Sequence, residues 1–289
     1  MSQARARNRV ARRDRSPQKA NIAMNIQGSA GNTEDLKHKP LVECIFEMKW
    51  LSGAAGGGKI SIDPYNKLLV GCLYDRLKRT YPEHEQLQTA SLPDQVVGQT
   101  VQHRFRTGQG KWPLVQIGPG ILTVNDTEGY VWRDFRKRAF ETVAALYAAH
   151  PNRKDVRIQS LVLRYIDAIS FDYSKNNLLT FLKGKLHVAI SLPDSLFTDT
   201  GVNESPRYFD WQAAFDCVIP KGKMMVRLAT GLKETDRVLV WETHISSENG
   251  DLPPMPSELA NWLEAAHGLT HDWFFKLIKG DLLRRFRGD

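Results

Sequence analysis

Between Lys111 and Asp126 the chain reads KWPLVQIGPGILTVND, two apolar runs held apart by Gly118-Pro119-Gly120. A proline flanked by glycines combines one fixed φ with free rotation on either side, a combination suited to a tight turn. The stretch therefore predicts a hairpin with Leu114, Ile117, Ile121 and Val124 buried. From Gly129 to His150 the apolar period becomes helical, marked by Val131, Phe135, Ala139, Val143 and Leu146, with Pro151 beyond its end. A hairpin running into an amphipathic helix points to an α+β fold.

The flanking segments extend this pattern. LVECIFEMKW (41–50) reads as a strand. Asp63-Pro64 opens a helix whose stripe is Leu68, Leu69, Cys72, Leu73 and Leu77, and which ends near Thr80 ahead of Pro82. Residues 83–98 read as a polar connection, QTVQHRFRT (99–107) as a strand, and VRIQSLVLRYIDAISFD (156–172) as a long buried strand. Strand, helix, strand, strand, helix, strand is the βαββαβ order of a ferredoxin-like domain, with helices on one face of an antiparallel sheet.

Beyond residue 173 the pattern changes. A short helix is expected over 175–183, strands over 185–192, 207–219, 223–232 and 236–247, and a C-terminal helix capped by Ser257. The expected organisation is a disordered basic tail (1–37), a ferredoxin-like domain (38–173), and a β-meander with a C-terminal helix (174–289). The meander could continue the first sheet.

The charge is unevenly spread. Residues 1–19 hold seven basic residues and one acidic, +6 of the total +8, so the remaining 270 residues carry only +2. The tail can attract phosphate backbones without specificity, whereas the body is near neutral. Cys44, Cys72 and Cys217 are scattered in apolar surroundings and suggest no disulfide framework. No apolar run approaches the roughly 18 residues of a membrane span, and none resembles a secretory h-region. A cytoplasmic protein without membrane contact is expected.

Several motifs invite chemistry. Gly53 to Lys59 satisfies G-x-x-x-x-G-K, but Ile60 stands where Ser or Thr would hold magnesium, and the next helix starts too late to aim its amides at a phosphate. Lys59 is thus a weak nucleotide ligand, and a structural loop is the better reading. His267 and His271 share a helix face with Glu264 nearby, yet Gly268 replaces the Glu of the zinc-protease pattern, so neither a metal nor a cofactor is expected. No catalytic constellation is legible. Arg164 and Asp167 interrupt an apolar strand, which suggests a structural pair of Arg164 with Asp167 or Asp126; a ligand-anchoring role for Arg164 is the alternative. His103, Arg104 and Arg106, beside Phe105 and Trp112, could form a basic stacking surface for RNA. The cations of the last helix, from Lys276 to Arg287, suit the helix dipole without any nucleic acid.

The blocks PLVECIFEMKW (40–50), WPLVQIGPGILTVND (112–126), the Tyr130/Trp132/Phe135 cluster, LRYID (163–167) and HDWFFKLIKGDL (271–282) occur in this order. Together they resemble a sporadically distributed family of uncharacterised prokaryotic proteins, over roughly residues 38–283. The resemblance implies an accessory protein, in a defence or mobile-element setting, and supplies no catalytic residue.

Trp112, Trp132, Trp211, Trp262 and Trp273 exceed what a core of this size requires, and aromatic residues at a surface mark interfaces. A non-enzymatic binding or regulatory module acting through a protein partner is therefore expected, with Trp112, Trp132 and Arg164 among the candidate contacts. The alternative is an RNA-binding protein, or a metal-independent ribonuclease, using His103, Arg104 and Arg106. Nucleic acid could also meet the tail (1–19).

Overall fold

The central hairpin forms as its sequence requires. β4 (Leu114–Gly118) and β5 (Ile121–Asp126) pair antiparallel, with Gly118 opposite Ile121 and Pro119-Gly120 as the turn. Gly120 has φ +67°, and a Cβ there would lie 2.5 Å from the Trp50 carbonyl oxygen, so both backbone angle and space require glycine. Leu114, Ile117, Ile121 and Val124 are all buried.

The structure is a computed structural model that describes residues 36–51, 63–93, 96, 98–127 and 129–289. The basic tail and the loop bearing Lys59 lie outside the described residues. Leu36–Asp289 is one compact unit.

Nine strands form a single sheet. The others are β1 (Leu41–Leu51), β2 (Glu83–Gln86), β3 (His103–Arg106), β6 (Arg157–Ser170), β7 (Asp210–Cys217), β8 (Gly222–Lys233) and β9 (Asp236–Glu248). Their order is β2-β3-β4-β5-β1-β6-β9-β8-β7, with every neighbouring pair antiparallel. β6 pairs with β1 on one side and with β9 from Ser160 to Ser170 on the other. The segments before and after residue 173 thus share one sheet.

Five helices complete the described fold: α1 (Asn66–Leu77), α2 (Trp132–Ala149), α3 (Leu178–Lys185), α4 (Leu259–Leu277) and α5 (Asp281–Arg287). All pack on one face. Cys44, Phe46, Met48 and Trp50 of β1 meet Leu69 and Leu73 of α1, Phe135 and Val143 of α2, and Trp262 and Leu263 of α4. A second cluster joins Ile169, Leu228, Leu239 and Trp241 to Leu178 and Leu182 of α3 and to Leu282 and Phe286 of α5. Strand side chains alternate between faces, so Glu43, Ile45, Glu47 and Lys49 point away from the helices. No helix among the described residues is long and apolar enough to cross a membrane.

Buried polar groups fasten the first layer. Asp63 Oδ2 accepts from Trp50 Nε1 at 3.0 Å and lies 2.9 Å from His150 Nε2. His150 Nδ1 accepts from the Asn152 amide at 3.1 Å, so Nε2 carries the proton that Asp63 receives. This joins β1, the approach to α1 and the end of α2.

Several expectations need correction. Residues 83–86, read as connection, form β2; EHEQ is wholly exposed, so backbone pairing with β3 makes it a strand and side-chain burial gives no signal. The strand expected over 99–107 is confined to His103–Arg106, because Gln99 instead sends Nε2 to the Trp50 carbonyl at 2.9 Å and to Gln159 Oε1 at 2.6 Å. No strand forms over 185–192: Leu186, Val188 and Ile190 pack against the second cluster as irregular chain, which mimics strand alternation. Ser257 bonds to the Pro254 carbonyl instead of capping a helix, and Gly280, at φ +97°, divides the C-terminal helix into α4 and α5.

Candidate functional site

A polar band crosses the face opposite the helices, and every strand of the sheet contributes to it. Arg104 of β3 lies 3.5 Å from Glu85 of β2 and donates from Nε to Gln116 of β4 at 2.7 Å. Gln116 donates to Asn125 of β5 at 3.3 Å, and Asn125 to Glu43 of β1 at 2.7 Å. Arg164 of β6 has Nε 3.2 Å from Glu242 Oε1 of β9, an ion pair whose N–H is not aligned as a hydrogen bond. Arg227 of β8 grips Asp210 of β7 through contacts of 2.8 and 2.7 Å.

The electrostatics follow from these neighbours. Burial raises the Glu43 pKa above the usual carboxylate value, with Asn125, Arg104 and Arg164 opposing the rise. Burial pushes Glu242 upward as well, but the His244 hydrogen bond and the charges of Arg164, His244 and Arg227 outweigh it, leaving Glu242 below its usual range. Each arginine of the band is matched by a carboxylate of the same face.

The structure separates the residues of the proposed RNA surface. Arg104 and Arg106 belong to the helix-free face, and Arg106 also pairs with Glu85 at 3.0 Å. His103 and Phe105 face the other way: Phe105 is fully buried, while His103 Nδ1 lies 3.0 Å from His84 Nε2 with the two rings stacked. Burial and the neighbouring His84 lower the His103 pKa, favouring the neutral ring. Period-two alternation is the cause of the split.

Arg164 likewise points away from Asp167 and Asp126, so neither expected pairing forms; Arg138 takes Asp126 and Glu242 takes Arg164. Trp112 is 37% exposed, with the Arg106 guanidinium 5.8 Å from its ring centre. Trp132 is half-buried and stacks on His267 at 3.9 Å. His267 Nδ1 lies 2.9 Å from the Tyr165 hydroxyl, which in turn is 2.8 Å from that of Tyr130. Burial, with His271 adding to it, takes the His267 pKa down to about 3. Glu264 is engaged by Trp132 and Arg136. Among the described residues no group of three or more His, Cys, Asp or Glu is placed to hold a metal ion.

The two ends of the sheet differ. The β2 edge is four residues long and carries Glu83, His84, Glu85 and Gln86, all exposed, so charge protects it. The β7 edge runs for eight residues with Trp211, Ala213 and Phe215 on its helix side. Phe215 is 48% exposed, and beyond it Val218 is 84% and Ile219 56% exposed. Of fourteen large hydrophobic side chains exposed among the described residues, Phe215 lies on β7 and Val218 and Ile219 follow directly after it. Trp262 is buried, whereas Trp211 and Trp273, both half-buried, border β7.

Sequence reasoning found β7 as a strand but missed Phe215, Val218 and Ile219 as a surface. Alternation in DWQAAFDC reveals a strand and gives no sign that it is the last one.

No protein-family model matches the chain, and no curated protein matches it.

Proposed function

We propose that this protein is a non-enzymatic binding module that engages a protein partner at the β7 edge. The partner supplies an extended segment that adds to the sheet as a further antiparallel strand. An edge strand presents a row of unpaired N–H and C=O groups, which supply affinity, while alternate side chains supply specificity. The observation that carries this reading is the longer β7 edge, whose helix side bears Trp211 and the half-exposed Phe215 between Asp210 and Asp216, set against the short, wholly exposed β2 edge of the same sheet. Trp211, Phe215 and Trp273 give it the aromatic anchors typical of interface centres.

The order β6-β1-β5-β4, with α1 and α2 among the connections, supports reading the N-terminal half as ferredoxin-like. β9, β8 and β7 then extend that sheet outward and carry the docking edge at its limit. Neutralised arginines on the helix-free face weigh against RNA binding there, because salt-dependent affinity needs cations free to displace counterions.

The test is capture of partners by the full chain and by Phe215→Asp and Val218→Glu variants, followed by direct titration of the purified partner. A partner lost with both variants, but bound normally by an Arg104→Ala variant, supports the reading. Equal binding by all of them, or self-association of this chain through β7, overturns it.

A further inference from the structure

The backbone of β7 decides how a chain can lie beside it. In an antiparallel pair, opposite residues alternate between those that exchange both N–H···O=C bonds and those that exchange none. The ladder sets Asp210 opposite Ala229, so Phe209 stands opposite Thr230, and the Thr230 amide donates to the Phe209 carbonyl at 2.9 Å. Trp211, Ala213, Phe215 and Cys217 therefore bond to β8, while Asp210, Gln212, Ala214 and Asp216 aim their amides and carbonyls out of the sheet. An incoming strand meets that outward set.

The side chains set what the strand must carry. On the helix side, Ala213 stands between Trp211, which packs against the second cluster, and Phe215, which packs on Trp273. The two rings are rooted roughly 13 Å apart along the strand. A residue opposite Ala213 belongs to a pair without mutual hydrogen bonds, where side chains come closest, and both rings are its diagonal neighbours. A large apolar side chain fits there. On the helix-free side Arg227 already holds Asp210. Asp216 is exposed and, among the described residues, forms no ion pair, even with Lys223 opposite it.

A second copy of β7 meets these demands poorly. The register that pairs most of the two strands through their outward groups sets Asp210 against Asp216 of the copy at both ends. Like charges directly opposite one another destabilise a sheet. The same register puts Ala213 against itself and leaves the space between the rings unfilled.

We propose that the occupant is an extended segment of another protein, with a large apolar residue opposite Ala213 and a lysine or arginine opposite Asp216. Because the strands run antiparallel, the cation precedes the apolar residue by three positions. This rests on the docking role of β7 proposed above and adds to it a partner sequence, basic-x-x-large apolar.

Fluorescence anisotropy of the full chain with the labelled peptides TKTTFTT, TKTTATT, TETTFTT and TFTTKTT tests the pattern. TKTTFTT is expected to bind about tenfold more tightly than TKTTATT, the scale of burying an aromatic side chain. It is expected to bind about threefold more tightly than TETTFTT and the reversed TFTTKTT, the scale of an exposed ion pair. Asp216→Lys, at an exposed position, is expected to reverse the preference between TKTTFTT and TETTFTT, and Phe215→Asp to abolish binding of every peptide. Equal affinity for all the peptides, lost in Phe215→Asp, overturns the pattern and leaves the docking edge standing. Failure of TKTTFTT to bind, or an unreversed preference in Asp216→Lys, likewise overturns the pattern alone, since the edge itself is tested with the captured partner. Peptide binding that Phe215→Asp does not weaken overturns the edge and the pattern together.

Discussion

The ring of Phe215 lies 5.6 Å from that of Trp273, tilted by 56°, and this contact joins the last strand of the sheet to α4. Phe215 remains 48% exposed while making it, so its outer face is open to a partner. Phe215→Asp is expected to abolish partner binding while changing stability by no more than about 1 kcal/mol, as for a surface substitution. Parallel urea unfolding and partner titration check the two halves of this expectation.

Asp63 is the shared acceptor of Trp50 and His150, and both its side chain and that of His150 are fully buried. Removing it orphans two buried nitrogens. Asp63→Ala is expected to cost about 3 kcal/mol, the scale of a broken buried polar pair. Partner binding at β7 should persist wherever the variant remains folded. Urea denaturation measures the loss.

Asp167 faces the helix side at 3% exposure, and burial pushes its pKa from 3.8 up to about 8. The folded state therefore holds a proton that the unfolded chain releases near pH 4. No penalty exists below that value, and stability falls as pH rises toward 8. Asp167→Asn removes the ionisation. It is expected to add at least about 2 kcal/mol at pH 8, since a tenfold change in an ionisation constant corresponds to about 1.4 kcal/mol. The advantage should vanish below pH about 4, as thermal melts of both proteins across this range will show.

The arginines of the helix-free face are already matched by Glu85, Glu242 and Asp210. Residues 36–289 are expected to retain no RNA at low salt, and Arg104→Glu with Arg106→Glu should leave that result unchanged. Filter binding over a salt series checks this. Retention that falls steeply with salt and disappears in the double variant would restore the RNA reading.

Much of the fold was legible where periodicity has a physical cause. Gly118-Pro119-Gly120 specified its turn, and Phe135, Ala139, Val143 and Leu146 specified the buried stripe of α2. β2 was illegible because EHEQ is stabilised by backbone pairing at an edge, which leaves no hydrophobic pattern. Leu186, Val188 and Ile190 misled for the opposite reason: they pack against a core without joining a ladder. The candidate site was harder still. Alternation could have told His103 from Arg104, since adjacent strand residues face opposite ways, but nothing local reveals that Arg164 meets Glu242 or that β7 ends the sheet.

Hydrogen–deuterium exchange of the full chain, with and without its captured partner, tests the docking edge most directly. Strand addition predicts that amides of Asp210–Cys217 gain protection on binding while those of Glu83–Gln86 do not change. Unaltered exchange across Asp210–Cys217, with the partner bound at saturation, would contradict it.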